Sequence, residues 1–295
     1  MSPAARPGIP WLEPGDFVRG TDSGEQIPMI LASFPSPPIN GFHIGPLRVT
    51  FYGVLIAIGV ALAWQVTEKR FSRTGGDIEL LGRVLGRVVI FGFLGARLAY
   101  VSTHLSRFEG EWWKVIALWE GGLALYGGLA AGAITLVVYA RKWGLAIPDL
   151  LDSMAPAVPL AQAIGRWGNY FNQELFGTPT DLPWGVEIDP VNRPEAFPDA
   201  SAFHPTFLYE SLWNIALAAS IIWAGNRFPR LGGRLIGIYF LGYGMIRFGL
   251  EAVRTDTTFR FLGLSRNGWV SIGVMIVGLV VAGWKTRAKA GAGHP

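Results

Sequence analysis

The chain has 295 residues, of which 51% are hydrophobic and only 16% charged, and its mean hydropathy is +0.35. An ordinary soluble domain is about a quarter charged, so this composition argues against a water-soluble globular fold and for an integral membrane protein. The absence of cysteine removes disulfides, a thiolate nucleophile and any Cys-based metal site, so thiol chemistry would need a thiol from a partner.

Residues 1–47 are rich in Pro and Gly and hold no long apolar run. They lack the basic-then-apolar pattern of a signal peptide and are expected to form an extracytoplasmic or interfacial segment. Residues 48–285 then carry seven apolar stretches, about 49–67, 84–102, 121–140, 148–165, 205–224, 235–252 and 268–284. Each is near the length of a bilayer core, which predicts an all-α integral membrane protein with seven transmembrane helices. The third opens on glycines. The fourth contains Asp152, Pro156 and Pro159, so a kink is expected there.

Basic residues set the orientation. Lys69, Arg70, Arg73, Arg83, Arg141, Lys142, Arg227, Arg230, Arg234, Lys285, Arg287 and Lys289 crowd into short connections on one side. The basic residues of the other side are spread over longer segments. The dense side is expected to be cytoplasmic, with the N-terminus outside, the 286–295 tail inside, and a long loop near 166–204 outside. The net charge of +4 and pI near 9.5 are ascribed to these loops, and no nucleic-acid partner is expected.

A charge at mid-membrane costs a few kcal/mol or more, so intramembrane ionisable groups are functional candidates. They are Arg87 and Arg97 in the second span, Glu210 in the fifth, and Arg247 and Glu251 in the sixth. Tyr243, Arg247 and Glu251 are spaced i, i+4, i+8 and share a helix face. They read either as a structural Arg–Glu pair or as a polar stripe lining an anion cavity. In "HPTFLYES", His204 sits at a helix entrance, as a capping or functional residue, and Pro205 suits the first turn. Glu210 and Asn214 share a face and can bond to neighbouring helices.

The stretch "AIGRWGNYFNQELFG", 163–177, places Asn, Gln, Arg and Glu at the edge of an apolar run. Arg166 and Asn169 share a face if the helix continues. The alternatives are a polar turn leaving the membrane and a binding loop. Arg166 and Arg247 come from different helices near headgroup depth, where the natural ligand of paired arginines is a lipid phosphate.

"GRWGNYFNQELFG" resembles the signature of the bacterial prolipoprotein diacylglyceryl transferases, in which Gly-Arg-x-Gly-Asn precedes Asn, Glu and Gly. "IGPLRVTFYG" with Tyr52, "GARLAYV" with Arg97, "HPTFLYE" and "YGMIRFGLEAVR" resemble further family stretches in order, over about 40–285. The resemblance implies transfer of a diacylglyceryl group from phosphatidylglycerol to the lipobox cysteine thiol of a prolipoprotein signal peptide. A thioether forms and glycerol phosphate leaves. It implies a multi-pass protein of the bacterial cytoplasmic membrane, in contact with membrane lipids and without cofactor or metal. Arg166 and Arg247 take the phosphate-binding places. Asn169, Glu174 and Gly177 match signature positions, and Tyr52, Tyr243 and Glu251 match other sensitive ones. Arg97, Glu210 and His204 fall in family stretches and complete the expected substrate-binding set.

One departure stands out. Many relatives carry a His in the third span, where "GGLALYGG" places Tyr126. A Tyr with a pKa near 10 is a poor base at neutral pH. Either Tyr126 hydrogen-bonds the lipid, or another group takes the thiol proton, or the arginines alone ease its ionisation. Glu174 or Glu251 is expected to orient the arginines. The rival readings are a transporter, another lipid-phosphate transferase and a structural subunit. No inverted repeat, HExxH or GxSxG motif supports the first two.

Overall fold

The computed structural model describes residues 33–45, 47–117, 121–254 and 260–283. Eight helices make up most of these: α1 Phe51–Ser72, α2 Ile78–Thr103, α3 Leu125–Lys142, α4 Ile147–Met154, α5 Ala157–Asn172, α6 Thr206–Arg227, α7 Leu235–Leu250 and α8 Arg266–Gly283. Of these, α1, α2, α6 and α8 are long and apolar enough to cross a membrane, and α7 is a shorter apolar helix. The chain is thus a mostly helical membrane protein. The fourth apolar stretch is two helices, broken at Ala155–Pro156, where Pro156 has no N–H to continue the α4 ladder.

Local chemistry sets the ends. The Thr50 hydroxyl accepts from the Gly53 N–H at 3.1 Å to open α1, and Asp77 accepts from the Leu80 N–H at 3.0 Å to open α2. Lys69 and Arg70 close α1, and Arg141 and Lys142 close α3, each complementing the negative end of a helix dipole. Asp152 on α4 accepts from the N–H groups of Gly233 and Leu235 and so satisfies the start of α7 from another helix.

Two helix pairs close on glycine. A Cβ at Gly95 of α2 would stand 2.8 Å from the Gly127 carbonyl oxygen of α3, and one at Gly127 would stand 2.6 Å from that of Gly95. Gly237 of α7 and Gly278 of α8 oppose each other in the same way, each 2.8 Å from the other's carbonyl oxygen by that measure. Such approach is how membrane helices gain packing where burial from water offers little. Phe71, Leu81, Leu136 and Leu150 pack where α1 to α4 connect, and Leu217, Ile221, Leu235 and Tyr239 pack between α6 and α7.

Among the described residues three antiparallel two-stranded pieces decorate the helices, which a purely helical expectation omitted. They are β1 Gly41–Ile44 with β2 Leu47–Thr50, β3 Val186–Glu187 with β4 Ala202–Phe203, and β5 Arg260–Phe261 with β6 Leu264–Ser265. The β3–β4 piece carries Val186 and Phe203 onto Phe207 of α6, with Trp167 and Tyr170 of α5 alongside. This small core fixes the loop after α5 against the ends of α5 and α6.

Candidate functional site

The helix does continue past Gly165, as far as Asn172, and that places the signature on one rigid element. Arg166 Nη1 donates to Asn169 Oδ1 at 3.2 Å. Asn169 Nδ2 donates to Glu174 Oε1 at 3.0 Å, and Asn172 Nδ2 donates to the same oxygen at 3.1 Å. Glu174 can reach back because Gln173 takes a left-handed conformation, φ 49°, which reverses the chain directly after the helix.

The arginines meet at Glu210. Arg166 Nη2 lies 2.7 Å from Glu210 Oε2, and Arg247 Nη1 lies 3.3 Å from Glu210 Oε1. Three helices, α5, α6 and α7, contribute one residue each. The Glu210 side chain is 2% exposed, while those of Arg166 and Arg247 are 21% and 14% exposed. The carboxylate is sealed and the arginine side chains stay partly exposed. Arg166 also donates to the Tyr243 hydroxyl, one turn before Arg247 on α7.

The expected orienting groups differ from those observed. Glu210 holds both arginines, whereas Glu174 holds the two asparagines. Both Glu251 oxygens are buried and, among the described residues, have no hydrogen-bond partner, so Arg247 and Glu251 do not form the expected pair along α7. Asn214, fully buried one turn beyond Glu210, likewise has no partner among the described residues.

Tyr52 packs on the signature. A Cβ at Gly168 would fall onto the Tyr52 ring, 2.8 Å from Cε2 and 2.9 Å from Cγ, and the Tyr52 hydroxyl lies within electrostatic range of Glu174 and Arg166. Gly177 is a crossing point. Its N–H donates to the His204 carbonyl at 2.9 Å, and a Cβ there would stand 2.7 Å from the Val253 carbonyl oxygen and 2.8 Å from His204 Cβ. It joins the loop after α5 to the entrance of α6 and the exit of α7. His204 Nδ1 lies 3.1 Å from the Tyr209 hydroxyl, which accepts from Trp184 Nε1 at 3.0 Å. Trp is only a donor, so the Tyr209 oxygen accepts from Trp184, while the direction of its bond to His204 Nδ1 follows the imidazole tautomer.

Arg97 is engaged elsewhere. Its Nε donates to the Val115 carbonyl at 2.8 Å, Nη1 to Gly121 at 2.5 Å and Gly122 at 3.0 Å, and Nη2 to Lys114. It braces the connection between α2 and α3 rather than the arginine cluster. Arg87 stacks over Tyr139 and Trp143 at 5.1 and 4.7 Å. Tyr126, at the start of α3, is 69% exposed and makes no hydrogen bond among the described residues, so it is not drawn into the cluster.

Sequence reading missed Gln173, Gly168 as the seat of Tyr52, and Ser211. Gln173 Nε2 donates to Asp189 Oδ2 at 2.6 Å, and its Oε1 accepts from the Asp189 N–H at 2.8 Å. The hydrogen bonds from Gln173 and Ser36 hold the Asp189 carboxyl below the usual carboxylate range. Ser211 accepts from Trp167 Nε1 at 3.3 Å and donates to the Ala163 carbonyl at 2.9 Å, tying α6 to α5. Small polar residues inside an apolar run are the one signal that points to such cross-helix ties.

Among the described residues no group of three or more His, Cys, Asp and Glu is placed to hold a metal ion. What the arrangement offers is a pair of guanidinium forks, preset by a carboxylate and an asparagine, suited to oxyanions.

A family model described as prolipoprotein diacylglyceryl transferase matches residues 40–284. The chain is 43% identical over 251 residues to phosphatidylglycerol–prolipoprotein diacylglyceryl transferase 2 of Streptomyces coelicolor, covering 84% of this chain and 79% of the relative. It is 42% identical over 258 residues to the Frankia alni protein named phosphatidylglycerol–prolipoprotein diacylglyceryl transferase, covering 86% and 67%. A Cutibacterium acnes protein of the same name is 37% identical over 266 residues, 89% of each chain.

Proposed function

This chain belongs to the prolipoprotein diacylglyceryl transferase family, and from that premise we propose that it moves the diacylglyceryl group of phosphatidylglycerol onto the lipobox cysteine thiol of prolipoproteins. The observation that carries the reading is the meeting of Arg166 and Arg247 from separate helices, each with a partly exposed side chain. The lipid lies with its phosphate on these two side chains. Sulfur attacks the glyceryl carbon as the carbon–oxygen bond to phosphate breaks, and glycerol phosphate leaves. Negative charge grows on the phosphate oxygens, and arginines fixed in place stabilise that charge most in the transition state. Asn169 orients Arg166, Glu174 fixes Asn169, and Glu210 sets the spacing of the pair. Alignment of thiol and carbon in one cavity supplies further rate. With no cysteine in the chain, the thiol belongs to the substrate.

Seven spans complete the proposal, with the α4–α5 unit counted as the fourth, the N-terminus outside and the C-terminus inside the bacterial cytoplasmic membrane. The density of Lys and Arg beside α1–α2, α3–α4 and α6–α7 supports that orientation. It puts the arginine cluster in the outer half, within reach of secreted prolipoproteins.

The test is a transfer assay with purified protein, phosphatidylglycerol and a short prolipoprotein peptide. Thioether product is expected from the parent and none from Arg166→Ala or Arg247→Ala. Full activity in either variant refutes the phosphate clamp.

A further inference from the structure

The charge of Glu210 does more than its spacing role requires. Two arginines can grip a phosphate without an acid between them, yet a carboxylate stands there in contact with both. Among the described residues Glu251 forms no ion pair with either arginine, and exposed Glu174 is bonded to asparagines. The contacting set is therefore two positive charges and one negative, a single net positive charge.

Within a site shielded from water, a complex of zero net charge is favoured and an unbalanced charge is costly. A phosphodiester carries one negative charge and balances the set. A phosphomonoester, whose second pKa is about 6, carries nearly two at higher pH and leaves one unbalanced. We propose that Glu210 makes the arginine pair a one-charge site, which accepts a phosphodiester and sheds a phosphomonoester. The inference rests on the diacylglyceryl-transfer reading, in which the substrate is a diester and the product a monoester. As the sulfur–carbon bond forms, the electron pair of the breaking carbon–oxygen bond goes to phosphate oxygen, and the thiol proton passes to water. The phosphate gains a second charge in that step, the balance is lost, and the monoester departs from arginines that Glu210 still holds.

The test is calorimetric titration of the purified full chain in detergent, at about pH 8 so that the monoester is dianionic. The probes are glycerophosphoglycerol, a diester without acyl chains, and glycerol 1-phosphate. The parent is expected to prefer the diester. In Glu210→Gln the ratio of monoester to diester affinity is expected to rise at least about tenfold, since removal of a charge within roughly 5 Å at an effective dielectric near 20 exceeds that factor. Glu210→Asp keeps the charge and is expected to keep the parent's ratio. A parent that binds the monoester as tightly as the diester overturns the proposal, and this arm stands even if the Gln variant does not fold. An unchanged ratio in a folded Gln variant also overturns it and leaves the arginine clamp intact. Binding of neither probe to the parent overturns the clamp itself.

Discussion

Substitution of Gly168 by alanine sets two effects against each other. In an exposed helix interior the change gains about 1 kcal/mol from propensity alone. Here the added Cβ falls against the Tyr52 ring, 2.8 Å from Cε2 and 2.9 Å from Cγ, with Cδ2 nearer still. Carbon atoms settle at about 3.5 Å or more, so Cε2 alone requires a retreat of roughly 0.7 Å and the nearer Cδ2 requires more. The ring roots at the first turn of α1, beside its Thr50 cap, and cannot swing away freely. Overpacking of this kind costs about 1–3 kcal/mol, so the net effect is a loss of about 0–2 kcal/mol. Activity should fall further than stability, because the retreat draws the Tyr52 hydroxyl from its place near Arg166 and Glu174. The assay is thermal unfolding in detergent beside transfer activity, repeated in a Tyr52→Ala background. Without the ring, Gly168→Ala should turn neutral or stabilising by about 1 kcal/mol. A Gly168→Ala protein with raised melting temperature and full activity would refute the reasoning.

Arg166→Lys and Arg247→Lys should each lower transfer at least about 100-fold while folding normally, since a lysine lacks the planar fork; near-parental rates in the same assay would count against phosphate gripping. Arg97→Ala leaves several carbonyls between Lys114 and Gly122 without their donor, and should cost about 3 kcal/mol or more, read as lower thermal stability and faster proteolysis of that connection. Asp189 has a lowered carboxyl pKa, so its contribution is present above the usual carboxylate range and is lost as pH falls through its folded value. Exchange of the Asp189 amide, which donates to Gln173, should therefore stay protected at neutral pH and lose protection only below the usual carboxylate range, and the Gln173→Ala variant should lose that protection at every pH.

Much of the helical order was legible because a bilayer demands long apolar runs, and those runs punctuate the chain. The break at Pro156 followed from the missing N–H, and the Arg166–Asn169 contact from i, i+3 spacing along α5. Short-range logic failed at the centre of the site. Three glutamates, Glu174, Glu210 and Glu251, were available to hold the arginines. The nearest in sequence to Arg247 was not the one chosen, since pairing across α5, α6 and α7 leaves no local spacing to read. Glu174 turned to the asparagines because Gln173 adopts a left-handed conformation that glutamine rarely signals. Arg97 looked like a ligand-binding cation by position, and its engagement with main-chain oxygens depends on a loop path that composition does not encode.

The glycines that seam α2 to α3 and α7 to α8 have a genetic consequence. Any nonsynonymous single-base change in a glycine codon that still encodes an amino acid adds a Cβ, and at Gly95, Gly127, Gly237 and Gly278 that atom meets main chain of the facing helix, joined at Gly95 and Gly127 by the side chains of Ala131 and Ala99. Main chain cannot shrink in compensation, so second-site reversion is closed off at Gly237 and Gly278, and at Gly95 and Gly127 a shrunken alanine would remove only part of the obstacle. In a saturation library these four codons should tolerate almost nothing, even though none of them touches the arginine cluster, and a screen for activity alone would misread them as catalytic.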